Sequence, residues 1–357
     1  MALTTSESTA YTALRKVSGS DQAVPLSDDA VRALVGIAAR DLGLEDRLMD
    51  VVDLVGVPEL FDPGFGEDLV VGGNDPRAAY EAIIRANPEA LTYIGCLGQI
   101  HKARLKYQRV LETQPFPTMD QIAPRSLLQH DKMPPKSLAA LLTWRKWLYD
   151  LDNRAAQETG YLFEPVIAGA IGGIPCSAAK SPIHRASGSG GRQVDCLKDD
   201  NAYEFKIRIT IAASGQGRWT EELLFPQEAK NSGYTPILIV LDTTPNPKLA
   251  ELVKAFEDHS GLAFVGDDAW SHLKNEAGEE MGLFLDKYIR VPLDEVDEAI
   301  DPGALLPPLR VEQVTGGVVF RLGETSTRVD RPVPDDSPGT AAQAGRAVAS
   351  PLSGDRG

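Results

Sequence analysis

The sequence predicts an α/β (α+β) protein in which a central mixed sheet follows an α-helical N-terminal region. Residues 203–211 alternate between apolar and polar side chains, which is the period-two pattern of a half-buried strand. Residues 235–242 form an almost continuous apolar run, typical of a strand covered by helices on both faces of a parallel or mixed sheet. Between residues 28 and 113, apolar side chains instead recur at helical spacing.

The first part of the chain is predicted to be helical over residues 25–159. Residues 1–24 are polar and are expected to form a flexible N-terminus, and the proline-rich residues 114–135 are typical of a linker-like loop. Ser27 is a favourable N-cap residue, and Gly160 is expected to end the last helix. The helices are predicted at residues 28–42, 44–55, 75–86, 89–113 and 137–159.

The segment 160–300 is predicted to contain the sheet. It begins with an apolar helix at residues 161–171, which carries Glu164. Turn-forming residues 198–201 join two of the predicted strands into a hairpin. The elements after the first helix are expected in the order of three strands, a helix, a strand, a helix and a strand. The first strand is expected within residues 175–186, and the other elements at residues 193–197, 203–212, 220–231, 235–242, 248–259 and 261–266.

The end of the chain has a different composition. Residues 309–329 alternate around Gly316 and Gly317, which predicts a small β-hairpin within residues 301–331. Residues 332–357 are rich in Pro, Ser, Gly and Ala, and we expect them to form a disordered tail.

Charge is distributed unevenly along the chain, whose formal net charge is −15. Residues 1–100 carry seven Lys and Arg against 16 Asp and Glu, whereas residues 101–150 carry nine against four. A groove that follows a nucleic-acid backbone needs local positive charge rather than a basic protein. The acidic flanks can also simply keep the protein soluble, and the two interpretations are compatible.

Several protein classes are excluded by composition. The three cysteines are too few and too scattered for a disulfide framework, and Cys176, His184 and Cys196 match no zinc-site spacing. The chain has no Gly-Lys pair, which argues against a P-loop ATPase. We find neither a signal peptide nor an apolar run long enough to span a bilayer, so a cytoplasmic protein is expected.

The predicted hairpin brings charged side chains together. Folding about residues 199–201 sets Asp195 opposite Glu204 to Lys206, where directly opposed Cβ atoms lie roughly 4.5–5.5 Å apart. A Glu-x-Lys triplet alone is expected roughly once in a chain of this length. A second copy, at residues 228–230, lies in a helical pattern in which positions i and i+2 do not share a face. The alternative is that Glu204 and Lys206 are exposed charges on an edge strand.

Asp195 followed by Glu204-Phe205-Lys206 resembles the motif of the PD-(D/E)XK nuclease superfamily, which includes many type II restriction endonucleases. Val194 stands where the superfamily motif has proline. The resemblance implies the restriction-endonuclease-like αβββαβ core over residues 160–270. Residues 203–219, YEFKIRITIAASGQGRW, further resemble the ApaLI-like group of these enzymes.

The resemblance also implies a Mg²⁺ site. The carboxylates of Asp195 and Glu204 and the carbonyl of Phe205 would bind the ion, which prefers oxygen ligands. Lys206 would orient or activate the attacking water. Glu164 is the candidate third acid, with the alternative that it is an acidic residue near a helix N-terminus, favoured by the helix dipole.

Basic side chains in two regions are candidates for contacts with DNA. One region is the helix at residues 101–109, whose basic face can also be merely solvated. The other consists of the loops and strand around the hairpin. The candidates are Lys102, Arg104, Lys106, His184, Arg185, Arg192, Arg208 and Arg218.

The resemblance implies a Mg²⁺-dependent type II restriction endonuclease that cuts double-stranded DNA at a specific sequence. A symmetric site cut on both strands favours a homodimer. A cognate DNA methyltransferase is expected in the same system, although not as a stable partner. The alternatives are a structure-specific repair or recombination nuclease of the same fold and a non-catalytic helical interaction scaffold.

Overall fold

The fold is given by a computed structural model. It describes residues 3–16, 23–48, 50, 52–66, 68–73, 75–188, 190–207, 215–242, 247–301 and 303–331, with only the backbone given for residues 215–218. Within these ranges the α-helices are α1 (Thr5–Arg15), α2 (Asp28–Asp41), α3 (Pro76–Ala86), α4 (Ala90–Thr113), α5 (Met119–Ile122), α6 (Pro135–Ala170), α7 (Gly215–Asn231), α8 (Pro247–Asp258), α9 (Asp267–Leu285) and α10 (Val291–Asp297).

A five-stranded mixed sheet lies at the centre of the fold, as the sequence predicts. Its strands follow the chain order β1 (Ile174–Cys176), β2 (Val194–Lys198), β3 (Asn201–Lys206), β4 (Thr235–Val240) and β5 (Leu262–Val265). The pairs β1–β2 and β2–β3 are antiparallel, whereas β3–β4 and β4–β5 are parallel. The predicted order of elements from α6 to β5 is confirmed. The part of the predicted strand beyond residue 207 lies outside the described residues.

Helices cover both faces of the sheet. On one face, Tyr203 and Phe205 of β3 join a large core formed with α2, α3, α4, α6 and α9. On the other face, Ala202 and the β4 residues Leu238 and Val240 pack against α7 and α8. The apolar run of β4 is buried along nearly its whole length, because parallel pairing places helical layers on both of its sides.

The chain divides into two compact units, Met1–Gln108 with Asp152–Ala304 and Arg109–Leu151 with Leu305–Gly357. The predicted helical region at 25–159 and sheet region at 160–300 have other bounds than these two units and stay a prediction. Residues of α2, α3 and α4 belong to the same hydrophobic core as β3, so these helices and the sheet form one unit.

Several predicted boundaries differ from the structure. Residues 5–15, expected to be flexible, form α1, which has a capping box at Thr4 and buries Tyr11 and Leu14. The helix predicted at 44–55 is reduced to 3₁₀ turns at Glu45–Arg47 and Leu54–Gly56. The loop predicted at 114–135 contains α5 and a 3₁₀ helix, Ala123–Leu128.

Helix α6 does not end at Gly160 but continues through Pro165 to Ala170. A glycine inside a helix costs about 1 kcal/mol relative to alanine. The residues that follow, Val166, Ile167 and Ala168, are fully buried, and burying each large apolar side chain contributes about 1.5–3 kcal/mol. Core burial therefore outweighs the local helix-breaking preference.

The second unit contains a three-stranded antiparallel sheet, β6 (Leu309–Val314), β7 (Gly317–Leu322) and β8 (Thr325–Asp330). The predicted hairpin around Gly316 forms between β6 and β7, and β8 extends it. Trp147 of α6 stacks on Phe116 at 5.3 Å and on Phe320 of β7 at 6.1 Å between ring centroids. The tail predicted at residues 332–357 lies outside the described residues.

In the described ranges, no helix combines the length and the apolar composition that crossing a membrane requires.

Candidate active site

The hairpin of β2 and β3 positions the first acid. Cys196 pairs with Tyr203 and Lys198 with Asn201, and Asp199 in the turn has a positive φ of 51°. Continuing this register by one residue sets Asp195 opposite Glu204. The Phe205 N–H donates a hydrogen bond of 2.9 Å to Asp195 Oδ2, which holds the Asp195 carboxylate against β3.

Glu204 and Lys206 lie on a central strand. β3 has β2 on one side and β4 on the other, and the side chains of Glu204 and Lys206 are only 14% and 19% exposed. The alternative of exposed charges on an edge strand is therefore wrong. The two side chains alternate with Tyr203 and Phe205, so they occupy the sheet face that α7 covers.

Two carboxylates contact the Lys206 ammonium. Its Nζ lies 2.8 Å from Glu204 Oε1 and 3.5 Å from Glu222 Oε1 of α7. Burial by itself lowers the pKa of Lys206, but Glu204 and Glu222 outweigh it and raise the pKa above its ordinary value of 10.5. Lys206 is thus a cation held by two acids.

The surroundings of Asp195 concentrate negative charge. Asp195 is only 8% exposed. This burial, together with the negative charges of Glu204 and Glu164, raises the pKa of the Asp195 carboxyl well above its ordinary value of 3.8. Lys206 and the Phe205 N–H oppose this shift without cancelling it. Three carboxyl groups therefore interact around one buried point, and Lys206 only partly compensates their charge.

Glu164 approaches Asp195 from α6. Both residues line a cavity of about 240 Å³, together with Tyr161, Cys176 and Gln193 among others. Gly173, just before β1, lets the backbone of that strand come close to β2, because a Cβ at this position would collide with Cys196 Sγ. The candidate third acid therefore lines the same cavity as Asp195.

The donor set fits a small divalent cation. Within the described ranges, no group of three His, Cys, Asp or Glu side chains is arranged to hold a metal ion. Asp195 and Glu204 nevertheless supply two adjacent carboxylates, and Mg²⁺ is commonly held by one or two carboxylates while it keeps several waters. The excess of negative charge at Asp195 is also what a divalent cation would neutralise.

Glu222 is the site residue that sequence reasoning missed. The signal lies in the spacing of α7, where Phe225 and Ala229 are fully buried at i+3 and i+7 from Glu222. A glutamate in line with this apolar stripe faces the sheet rather than the solvent. Glu221, one position earlier, instead pairs with Arg185.

Three basic side chains of α4 form hydrogen bonds and an ion pair within the protein. Lys102 Nζ donates to the carbonyls of Ala13 and Lys16 at 2.8 and 3.0 Å, and Arg104 donates to the Leu60 carbonyl. Lys106 Nζ lies 2.7 Å from Glu158 Oε1. These contacts favour structural roles for Lys102, Arg104 and Lys106, and they do not bring the three side chains to Asp195.

The loop before β2 carries three of the other candidates. Arg192 is buried, and its Nη1 lies 3.3 Å from Glu228 Oε2, a contact that favours a structural role. Arg185 and His184 are less buried, and Arg185 Nη1 lies 3.0 Å from Glu221 Oε1. Arg208 and the Arg218 side chain lie outside the described residues. Glu228, from the second Glu-x-Lys triplet, lies on α7 as predicted.

Known proteins give an independent comparison. A type II restriction enzyme ApaLI from Acetobacter pasteurianus is 52% identical over 213 residues, which cover 58% of this chain and 57% of that protein. This chain thus spans little more than half the length of that relative. No solved structure matches the chain. The family described as ApaLI-like restriction endonuclease matches residues 76–290, a range that includes Glu164, Asp195, Glu204 and Lys206. Because this match covers more than half of the chain, the protein belongs to the ApaLI-like restriction endonuclease family.

Proposed function

We propose that this chain is a type II restriction endonuclease that hydrolyses phosphodiester bonds at a specific sequence in double-stranded DNA with Mg²⁺ as its cofactor. The observation that carries the proposal is the convergence of Asp195, Glu204 and Lys206 on adjacent central strands, inside the segment that matches the family. The relative from Acetobacter pasteurianus, a type II restriction enzyme, supports the same reaction.

We further propose that the PD-(D/E)XK core runs from α6 to β4. The succession of one helix, three antiparallel strands, a helix and a parallel strand supports this assignment. The acid of the first motif then comes from β2 and the Glu-x-Lys triplet from β3. Val194 stands in place of the motif's proline and pairs with Cys176 of β1, next to a shift in the β1–β2 register between Ile174 and Cys176.

The cofactor site in this proposal consists of the Asp195 and Glu204 carboxylates with the Phe205 carbonyl. A bound Mg²⁺ ion would act as a Lewis acid and lower the pKa of a coordinated water. Glu164, which lines the same cavity as Asp195, would orient a water by accepting a hydrogen bond.

Lys206 provides positive charge beside this site. An ammonium has three N–H donors. Glu204 and Glu222 occupy two of the directions around the Lys206 ammonium. The remaining donor can orient the attacking water or neutralise charge on a non-bridging phosphate oxygen. Such a preorganised cation stabilises a transition state in which negative charge grows on phosphate.

The partner implied by this activity is double-stranded DNA, and a homodimer would match a two-fold symmetric site. Among the described basic residues, His184 and Arg185 remain our candidates for DNA contacts, because their loop leads directly into β2. Arg208 and Arg218 remain candidates from sequence. A cognate methyltransferase would act on the same DNA sequence without binding this chain stably.

The proposal is tested with plasmid and genomic DNA. We expect discrete fragments with Mg²⁺, none with EDTA, and loss of cleavage by about 10²-fold or more in Lys206→Ala, with DNA binding in a gel-shift assay retained. Lys230→Ala is the matched control, because Lys230 belongs to the second Glu-x-Lys triplet and its Nζ donates to Ser260 instead. This variant should cleave like the unmodified protein.

Two results would contradict the proposal. Unchanged turnover in Lys206→Ala would remove the assigned mechanism. Nicking that depends on DNA structure, without discrete fragments, would favour a repair nuclease over a restriction enzyme.

A further inference from the structure

Lys206 has two acidic partners that differ in origin. Glu204 is two residues away on the same strand, whereas Glu222 comes from α7, which follows β3 in the chain. Their Oε1 atoms lie 2.8 and 3.5 Å from Lys206 Nζ. Glu204 belongs to the proposed metal site and Glu222 does not, so the two carboxylates need not behave alike during the reaction.

The two roles of Glu204 conflict. A carboxylate that coordinates a divalent ion interacts less strongly with a neighbouring ammonium, and the ion itself repels that ammonium. With Glu204 as its only partner, Lys206 would be free to swing away when the ion binds. A second carboxylate, outside the metal site, removes this difficulty.

We propose that Glu222 is a positioning residue that holds the Lys206 ammonium beside the reacting phosphate while Glu204 is engaged as a metal ligand. This inference rests on the proposed nuclease function and adds to it a residue of α7. Glu222 acts through Lys206 and does not itself contact the DNA.

The packing of α7 fixes the Glu222 carboxylate. Its side chain is 24% exposed and lies one turn before Phe225, which is fully buried against the sheet. The backbone next to Glu222 has a further contact, since Arg192 Nη2 donates a hydrogen bond of 2.6 Å to the Glu221 carbonyl. A charge on a fixed, partly buried helix loses less side-chain entropy on pairing than one at an exposed site.

The experiment compares Glu222→Gln with Glu222→Asp in steady-state cleavage of plasmid DNA at saturating Mg²⁺. Loss of a contact between charged groups should lower kcat by about tenfold or more in Glu222→Gln. KM should stay within about twofold, because binding of the DNA ground state does not use this contact. Glu222→Asp keeps the charge and should retain more activity than Glu222→Gln. A purely packing role requires the reverse order, because Gln preserves the side-chain volume.

Glu221→Gln is the control, since Glu221 lies next to Glu222 on α7 but pairs with Arg185. Its kcat should match the unmodified protein, and any effect through Arg185, a candidate for DNA contacts, should be confined to KM. A second measurement avoids turnover altogether: reductive methylation of the metal-free protein, followed by peptide mass spectrometry. We expect Lys206 to be labelled several-fold faster in Glu222→Gln than in Glu221→Gln, because only Glu222→Gln removes one of the two carboxylates that contact the ammonium.

The inference is overturned if kcat of Glu222→Gln stays within about twofold of the unmodified protein, or if Glu221→Gln loses as much activity. It is also overturned if Glu222→Gln is more active than Glu222→Asp. Lys206→Ala separates this failure from failure of the proposed function. An inactive Lys206→Ala beside a fully active Glu222→Gln removes only the positioning role, whereas an active Lys206→Ala removes the nuclease mechanism.

Discussion

Asp195 is a ligand in the proposed metal site, but its ionised form is unfavourable for the stability of the metal-free protein. Its carboxyl is buried beside Glu204 and Glu164, and this arrangement raises its pKa. The folded pKa is therefore above the unfolded value near 3.8, so the folded state is favoured by a protonated Asp195. The stabilisation that protonated Asp195 gives the folded state is fully present below the unfolded pKa and is lost as the pH rises through the folded pKa. Ionisation of Asp195 in the folded state thus destabilises the metal-free protein.

Asp195→Asn should consequently stabilise the metal-free protein at neutral pH while it abolishes cleavage. The variant removes a buried charge, and its amide oxygen can still accept the Phe205 N–H. Differential scanning calorimetry should show a higher melting temperature, by about 1–2 °C for each kcal/mol of repulsion relieved.

Adding Mg²⁺ completes this test. The ion should raise the melting temperature of the unmodified protein, because it binds the folded state, and should have little effect on Asp195→Asn. Asp200→Asn, at an exposed turn residue, serves as the control and should respond to Mg²⁺ normally. A melting temperature of Asp195→Asn below that of the unmodified protein would mean that its carboxylate contributes net stability.

At the scale of elements, α7 joins the loop before β2 to the sheet. Glu228 of α7 pairs with Arg192 at 3.3 Å and accepts a hydrogen bond of 2.8 Å from the Ala186 N–H through its other oxygen. The side chains of Arg192 and Glu228 are 9% and 3% exposed. The loop that leads to Asp195 is therefore attached to the same helix that carries Glu222.

Arg192→Met should destabilise the protein by about 3–5 kcal/mol, because it leaves the Glu228 carboxylate buried without its cation. Arg185→Met removes the more exposed pair with Glu221 and should cost about 0–1 kcal/mol. Urea unfolding monitored by circular dichroism measures both differences. The double variant Arg192→Met/Glu228→Gln should recover part of the loss. Equal losses in the two single variants would argue against a structural role specific to Arg192.

At the scale of the molecule, one chain presents one set of Asp195, Glu204 and Lys206. Cutting both strands of a symmetric site therefore requires either two chains or two successive events. The homodimer in our proposal places one set on each strand by two-fold symmetry. The core shared by the sheet and by α2, α3 and α4 keeps each set within one unit of the fold.

A mixed dimer tests this arrangement. Co-expression of the unmodified chain with Lys206→Ala, each with its own affinity tag, should yield a species that retains both tags through successive purifications. This species should convert supercoiled plasmid to nicked circles, with linear product appearing much more slowly, because only one of its sets is intact. Recovery of chains with only one tag, or linear product at the unmodified rate, would contradict a dimer that cuts both strands together.

Much of the site could be predicted because its elements are local. The alternation in residues 203–206 assigns Glu204 and Lys206 to one face, and the turn at Asp199 sets the register of the hairpin. The period-two alternation and the short turn permit few other pairing registers of β2 and β3. A shift of the register by one residue would expose Tyr203 and Phe205. The buried strand β4 follows from its apolar run in the same way.

Other features depend on contacts between segments that are distant in sequence. The charge pattern alone cannot tell that Arg192 is buried against Glu228 or that Lys102 donates to carbonyls at the end of α1. The low helix propensity of glycine favours an end of the helix at Gly160. Helix α6 nevertheless continues past it, because the continuation buries Val166 and Ile167. The faces of β3 and β4 and the hairpin that joins Asp195 to Glu204 thus follow from local sequence patterns. The choice of helices that share the core of the sheet, and the approach of Glu222 to Lys206, depend on packing, because the burial free energy that selects these contacts arises only when the segments pack together.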